Sequence, residues 1–134
     1  MDTDSINVLR EFVVAEKSDG NVYLNIRSTT GWRALFDGTR VIPDDELRDV
    51  ACHAGLAAHN GVWYFSHPSP LGERATGSLR GRRERMMLRI STDEGETWPR
   101  EIEVNSLASA YSDVAVLADG TVLVLFENGQ RGKP

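Results

Sequence analysis

Six arginines, at positions 74, 80, 82, 83, 85 and 89, fall between Arg74 and Arg89 with Glu84 as the only acid among them. Guanidinium groups stay charged at any relevant pH and grip carboxylates or phosphates through paired hydrogen bonds, so such a cluster can build an anion site. It can equally be a solvated, arginine-rich loop, and the residue pattern leaves both readings open. The island sums to +5 in a chain of formal net charge −5, so the other residues together carry −10. A nucleic-acid binder is usually basic throughout, whereas this distribution suggests a local site and no nucleic-acid partner. His53, His59 and His67 are too scattered for a metal triad and read as ordinary polar residues. Cys52, the single cysteine, excludes an internal disulfide and a cysteine-based zinc site, and fits a reducing compartment. In Val50-Ala-Cys-His53 it reads as a small buried hydrophobe.

The elements that must position these groups are strands. The 134 residues are 40% hydrophobic and 26% charged, which suits one soluble globular domain. No apolar run approaches the roughly 20 residues that span a bilayer. Three times a hydrophobic run meets Asp-Gly or Asn-Gly and a second hydrophobic run. These are Phe12–Glu16 with Val22–Arg27 around Asp19-Gly20, Ala54–His59 with Val62–Ser66 around Asn60-Gly61, and Asp113–Leu117 with Thr121–Phe126 around Asp119-Gly120. That pattern signals a β-hairpin, since a tight turn needs positive φ where Gly and Asn tolerate it. Met86–Ile90 adds a strand, Phe36-Asp-Gly-Thr-Arg40 a weaker turn, and only Asp44–Asp49 looks helical, for a turn or two. Turns at 19, 37, 60, 94 and 119 predict an all-β sandwich, barrel or propeller part. Ser66–Gly81, rich in Pro, Gly and Ser, reads as a long excursion between strands.

Ser91-Thr-Asp-Glu-Gly-Glu-Thr-Trp98 matches the pattern S-x-D-x-G-x-T-W. Asp93 can bond nearby amides, Gly95 takes a conformation barred to other residues, and Trp98 tucks beneath the turn. With Ser91 and Thr97 these residues resemble the structural Asp box (BNR repeat) of sialidases and other β-propellers. Four further stretches, in order, resemble the C-terminal part of the exo-sialidase (neuraminidase) family. They are Glu11–Gly20, Leu24–Ser28, Phe65–Pro68 with Arg83–Ser91, and Ala110–Asp113 leading to Leu125–Glu127.

The resemblance implies a six-bladed propeller, of which about three blades fit in residues 1–134 as one partial domain. It also implies a retaining exo-α-sialidase that releases terminal sialic acid from glycoconjugates without a cofactor. In that pattern Tyr111 is the nucleophile, Glu11 its base, and Arg27 and Arg83 hold the substrate carboxylate. The chemistry is coherent. A sialoside carries a carboxylate on its anomeric carbon, which would repel an anionic nucleophile, and sialidases use tyrosine in place of the usual carboxylate. Free tyrosine has a pKa of about 10 and needs a base and nearby cations to act at neutral pH. Each residue also has a plainer reading. Tyr111 could be a strand-end aromatic, Arg27 an ion-paired strand-edge arginine, and Glu11 or Glu16 a solvent-facing acid, the spacing to Asp19-Gly20 favouring Glu11. Arg82, Arg85 and Arg89 read as loop and face arginines, and Glu127 as a supporting residue.

The family's first triad arginine and acid/base aspartate have no counterpart here, and Asp2, Asp4 and Asp37 sit in no matching motif. The expectation is therefore a C-terminal portion of a longer sialidase, with open edges that could self-associate and reduced turnover alone. Localisation follows the same fork: cytoplasmic if the acidic start Met1-Asp-Thr-Asp is authentic, secreted or periplasmic if an N-terminal half precedes it. The alternatives are a non-catalytic module that binds a sialylated glycan or other anionic sugar, and a structural propeller fragment.

Overall fold

The computed structural model describes residues 11–70 and 82–129. Among them the chain is all-β, with nine strands and no helix. The first four, β1 (Phe12–Glu16), β2 (Val22–Ile26), β3 (Trp32–Phe36) and β4 (Val41–Arg48), form an antiparallel meander. The next, β5 (Gly55–His59), β6 (Val62–Pro68), β7 (Glu84–Ser91) and β8 (Arg100–Val116), form a second, which β9 (Val122–Asn128) extends. β8 serves two neighbours: its first half, to Ala108, pairs with β7, and Ser109–Val116 pairs with β9. The result is two four-stranded leaves and the opening hairpin of a third, consistent with a partial β-propeller.

The leaves pack through their inner strands. A β-carbon on Gly55 would meet the Asp113 backbone at 2.6 Å, so β5 and the second half of β8 approach at a distance only glycine allows. Ser66 and Ser112 hydroxyls bond at 2.8 Å beside this contact. Tyr23, Leu47, Ala54, Trp63, Phe65 and Trp98 form the core between the leaves. Tyr23 meets Trp63 edge-on at 5.1 Å and Phe65 lies 5.5 Å from Trp98, aromatic contacts that add to simple burial. The outer flanks leave Phe12, Val14 and Val22 exposed on one side and Leu123 and Leu125 on the other.

Turns and longer connections segregate. The turns after β1, β3, β5, β7 and β8 fall at the expected Asp19, Asp37, Asn60, Glu94 and Asp119, all at one end of the strands. The segments 27–31 and 49–54 and the residues flanking β7 at 82–83 lie at the opposite end.

Two expectations change. Asp44–Asp49 is not helical: residues 44–48 lie in β4, opposite β3. The three-residue spacing of buried Asp44 and Leu47 comes from a bulge, since β4 spends Pro43 to Arg48 against only Ala34 to Trp32. Asp44 closes it by accepting the Glu46 and Leu47 amides at 2.9 and 3.2 Å. The excursion expected from Ser66 begins later, because β6 runs to Pro68. Residues 71–81, with Arg74 and Arg80, lie outside the described residues.

Candidate active site

β1 and β2 are the hairpin expected around Asp19-Gly20, and their open end carries Glu11 and Arg27 opposite each other. The Arg27 amide donates to the Glu11 carbonyl at 2.8 Å, extending the ladder by one step. The side chains follow the backbone: Arg27 Nη1 donates to Glu11 Oε2 at 2.5 Å. Tyr111, on the second half of β8, reaches the same point from 100 residues away. Its hydroxyl donates to Glu11 Oε1 at 2.6 Å and accepts from Arg27 Nη1 at 2.9 Å. Arg83, just before β7, stands with its guanidinium carbon 5.5 Å from the centre of the Tyr111 ring. Its Nη2 donates to the Ala51 carbonyl at 2.9 Å. The structure thus brings Glu11, Arg27, Arg83 and Tyr111 to one end of the sheets, while Glu16 is exposed at the opposite end of β1.

The protonation states follow from these contacts. The hydrogen bond to Glu11 is the main reason the Tyr111 phenol titrates above its ordinary value, with burial adding to it and Arg27 opposing. At Glu11 burial pushes the carboxyl up, but the bonds from Tyr111 and Arg27 outweigh it and the net shift is downward. Arg27 loses some basicity to burial and regains more from Glu11, ending above its usual value. The resting site therefore holds a neutral phenol on an ionised carboxylate with two guanidinium groups alongside. It can transfer the phenol proton to Glu11 as Tyr111 attacks an electrophile, and the two cations can receive a carboxylate.

The surroundings of Tyr111 hold more than the sequence named. His53 lies 5.7 Å from the Tyr111 ring, tilted at 45°. Glu127, expected only as a supporting residue, accepts the Tyr111 amide at 3.4 Å. An open cleft of about 390 Å³ beside Tyr111 is lined by Ser112, Asp113, Leu125, Phe126 and Glu127. Arg33, which the sequence reading did not single out, is 1% exposed.

The described arginines of the basic island divide. Arg85 and Arg89 are mostly buried strand residues paired with Glu103 and Glu101 on β8, so neither is the solvated arginine a loop would present. Arg89 also faces His67 Nε2 at 3.4 Å, and His67 is fully buried, not an ordinary surface histidine. Arg82 pairs with Glu84. Only Arg83 turns toward Tyr111. Cys52 is 1% exposed, and burial pushes its thiol up to about 11, which suits an inert small hydrophobe. Among the described residues no group of three or more His, Cys, Asp or Glu could hold a metal ion.

The stretch Ser91–Trp98 lies at the far end. Ser91 Oγ donates to Asp93 Oδ1 at 2.7 Å and accepts the Gly95 amide at 2.9 Å. Asp93 also accepts the Thr97 amide at 2.9 Å and the Thr97 hydroxyl at 2.6 Å. These bonds, the Thr97 hydroxyl first, hold the Asp93 carboxyl down to about 2. Gly95 has φ +83°, and a β-carbon there would meet the Tyr23 ring at 2.8 Å. The turn closes on itself, docks on the first leaf, and touches none of the residues around Tyr111.

No family model matches the chain. A curated relative, a protein described as a sialidase from Micromonospora viridifaciens, is 29% identical over 133 aligned residues. The alignment takes in 85% of this chain and 19% of that protein, so the chain spans about a fifth of the relative's length. This likeness supports a sialidase-like relationship.

Proposed function

We propose that the chain carries the nucleophile half of a retaining exo-α-sialidase site, with terminal sialic acid on a glycoconjugate as its substrate. The observation that carries this reading is the Tyr111 hydroxyl, 2.6 Å from a carboxylate base and 2.9 Å from a guanidinium donor. A strand-end tyrosine kept only for packing has no need of both.

Arg27 and Arg83 receive the substrate carboxylate through charge-assisted hydrogen bonds, which brings the adjacent anomeric carbon to Tyr111. The Tyr111 oxygen forms a bond to that carbon as the bond to the aglycone oxygen breaks, and the phenol proton passes to Glu11. Arg27, bonded to the Tyr111 oxygen at rest, steadies the negative charge that develops there. Water then attacks the same carbon as its bond to the tyrosine oxygen breaks, the water's proton passing to the conjugate base of the separate acid that protonates the aglycone. Glu11 returns its proton to the tyrosine oxygen, and sialic acid leaves with its configuration retained. A neutral phenol meets no repulsion from the substrate carboxylate, which is the physical case for tyrosine over Asp or Glu here. Protonating the departing aglycone oxygen needs a separate acid, which these four residues do not supply.

The test is release of a fluorescent aglycone from a synthetic α-sialoside, with Tyr111→Phe as control. Turnover abolished by that change supports the reading, and turnover that survives it contradicts the mechanism. Sialic-acid binding that survives Tyr111→Phe but not Arg83→Ala, without turnover, would mark a binding module.

A further inference from the structure

Arg33 is the largest fully buried side chain among the described residues, and it takes no part in the contacts around Tyr111. From the second position of β3 its Nε donates to the Asn25 side-chain oxygen and its Nη1 to the Cys52 carbonyl at 3.1 Å. Nη1 also lies 3.6 Å from the carboxylate of Asp49, which is 3% exposed. Asp49 reaches two separate stretches of backbone. Its Oδ2 accepts the Ser28 amide at 2.6 Å and its Oδ1 the Cys52 amide at 3.2 Å. Ser28 follows Arg27. Cys52 follows Ala51, whose carbonyl receives Arg83.

Ala51 has φ 55°, in the left-handed region that residues with a β-carbon rarely adopt. Such a conformation persists where its surroundings over-determine it. Here the Cys52 amide is held by Asp49 and the Cys52 carbonyl by Arg33, so both backbone polar groups of the residue after the strained one are fixed. A buried ion pair is a poor source of stability, because desolvating both ions offsets their attraction. Arg33 also leaves its Nη2 buried without a partner, a cost that an apolar residue would avoid.

We propose that the buried Arg33–Asp49 pair is a positioning device for Arg27 and Arg83. It holds the backbone beside each and so sets the width of the grip they present to a carboxylate. The proposal rests on the reading of Arg27 and Arg83 as the carboxylate-binding pair.

Asp49→Asn tests it, since the change keeps the shape while replacing one acceptor oxygen with a donor. The readout is the guanidinium N–H resonances of Arg27 and Arg83 in the whole chain, assigned with Arg27→Lys and Arg83→Lys. In the unaltered chain both arginines should give resolved, slowly rotating signals. In Asp49→Asn both should average, and affinity for sialic acid should fall about tenfold or more. Adding Ala51→Gly to Asp49→Asn should restore Arg83 but not Arg27, because glycine takes the left-handed turn unaided while the Ser28 anchor stays lost. In that double variant, both arginines still averaged, or both restored, would mark general loosening and would overturn the proposal. So would a folded Asp49→Asn with both arginines unchanged.

If Asp49→Asn does not fold, Arg33→Met with Asp49→Asn removes both buried charges together, and averaged arginine signals are again the expected result. Hydrogen exchange on the unaltered chain needs no variant. The Ser28 and Cys52 amides, both outside strands, should exchange as slowly as neighbouring strand amides, and exchange at open-loop rates would overturn the proposal. Locked arginines in a chain that binds no sialic acid would contradict the substrate reading and leave the positioning role standing.

Discussion

The two ends of the strands solve different problems. At the turn end, Asp93 finds its partners within four residues, in Ser91 and Thr97. At the other, Tyr111 meets Glu11 from 100 residues away and Arg27 from 84. The turn end fixes local geometry cheaply and joins the leaves, through Gly95 on Tyr23 and the Lys17–Glu96 ion pair. The site end collects charged and ionisable groups from separate strands, whose meeting depends on the leaves being correctly packed. Damage to the first should therefore appear as lost stability, and damage to the second as lost chemistry.

Removal of the proposed nucleophile should separate them most sharply. Tyr111→Phe is expected to abolish release of aglycone from an α-sialoside, and Glu11→Gln to lower it by about 10²- to 10⁴-fold, the usual share of a general base. Thermal unfolding should register only about 1 kcal/mol for Tyr111→Phe, the worth of an ordinary hydrogen bond. A large loss of stability would mean that the tyrosine is structural.

Gly95→Ala should do the reverse. It adds strain at φ +83° and a clash with Tyr23 at 2.8 Å, together worth roughly 2 to 4 kcal/mol of stability. The arrangement around Tyr111 should survive in the fraction that stays folded, which sialic-acid binding measured below the melting transition would check.

The pH dependence sharpens the contrast further. Asp93 titrates at about 2 in the folded chain, below its ordinary value near 4. Its contribution is thus present above the ordinary value and lost as pH falls toward about 2. Asp93→Asn should lower stability at neutral pH by at most about 1 kcal/mol, since solvent screens the bonds of an exposed carboxylate, with the difference from the parent vanishing in strong acid. Glu11 is depressed and Tyr111 raised, so chemistry that needs ionised Glu11 and neutral Tyr111 should stay flat between the ordinary carboxylate and phenol ranges. Denaturation curves read the first effect and rate profiles the second.

Much of the fold was legible because hairpin chemistry is local. Asp19-Gly20, Asn60-Gly61 and Asp119-Gly120 announce turns without reference to anything distant. Asp44–Asp49 misled for the same reason, since acidic residues around Leu47 at helical spacing cannot reveal that β3 will pair with them through a bulge. Tyr111, Glu11, Arg27 and Arg83 could be named from the family pattern, but their hydrogen bonds could not. Arg33 was missed altogether. Within Trp32–Phe36 it is a lone charge among apolar neighbours, and its partners Asn25, Asp49 and Cys52 are gathered only by the finished sheet.

The central claim, that Tyr111 attacks an anomeric carbon, is tested most directly by incubating the chain with a sialosyl fluoride bearing a second fluorine beside the anomeric carbon. Fluoride departs without general-acid help, so the result does not depend on a separate acid, and the second fluorine slows hydrolysis of the adduct. The account predicts one sialosyl group added, mapped by peptide mass spectrometry to Tyr111 and absent in Tyr111→Phe. A folded chain that remains unlabelled, or carries the label elsewhere, would contradict it.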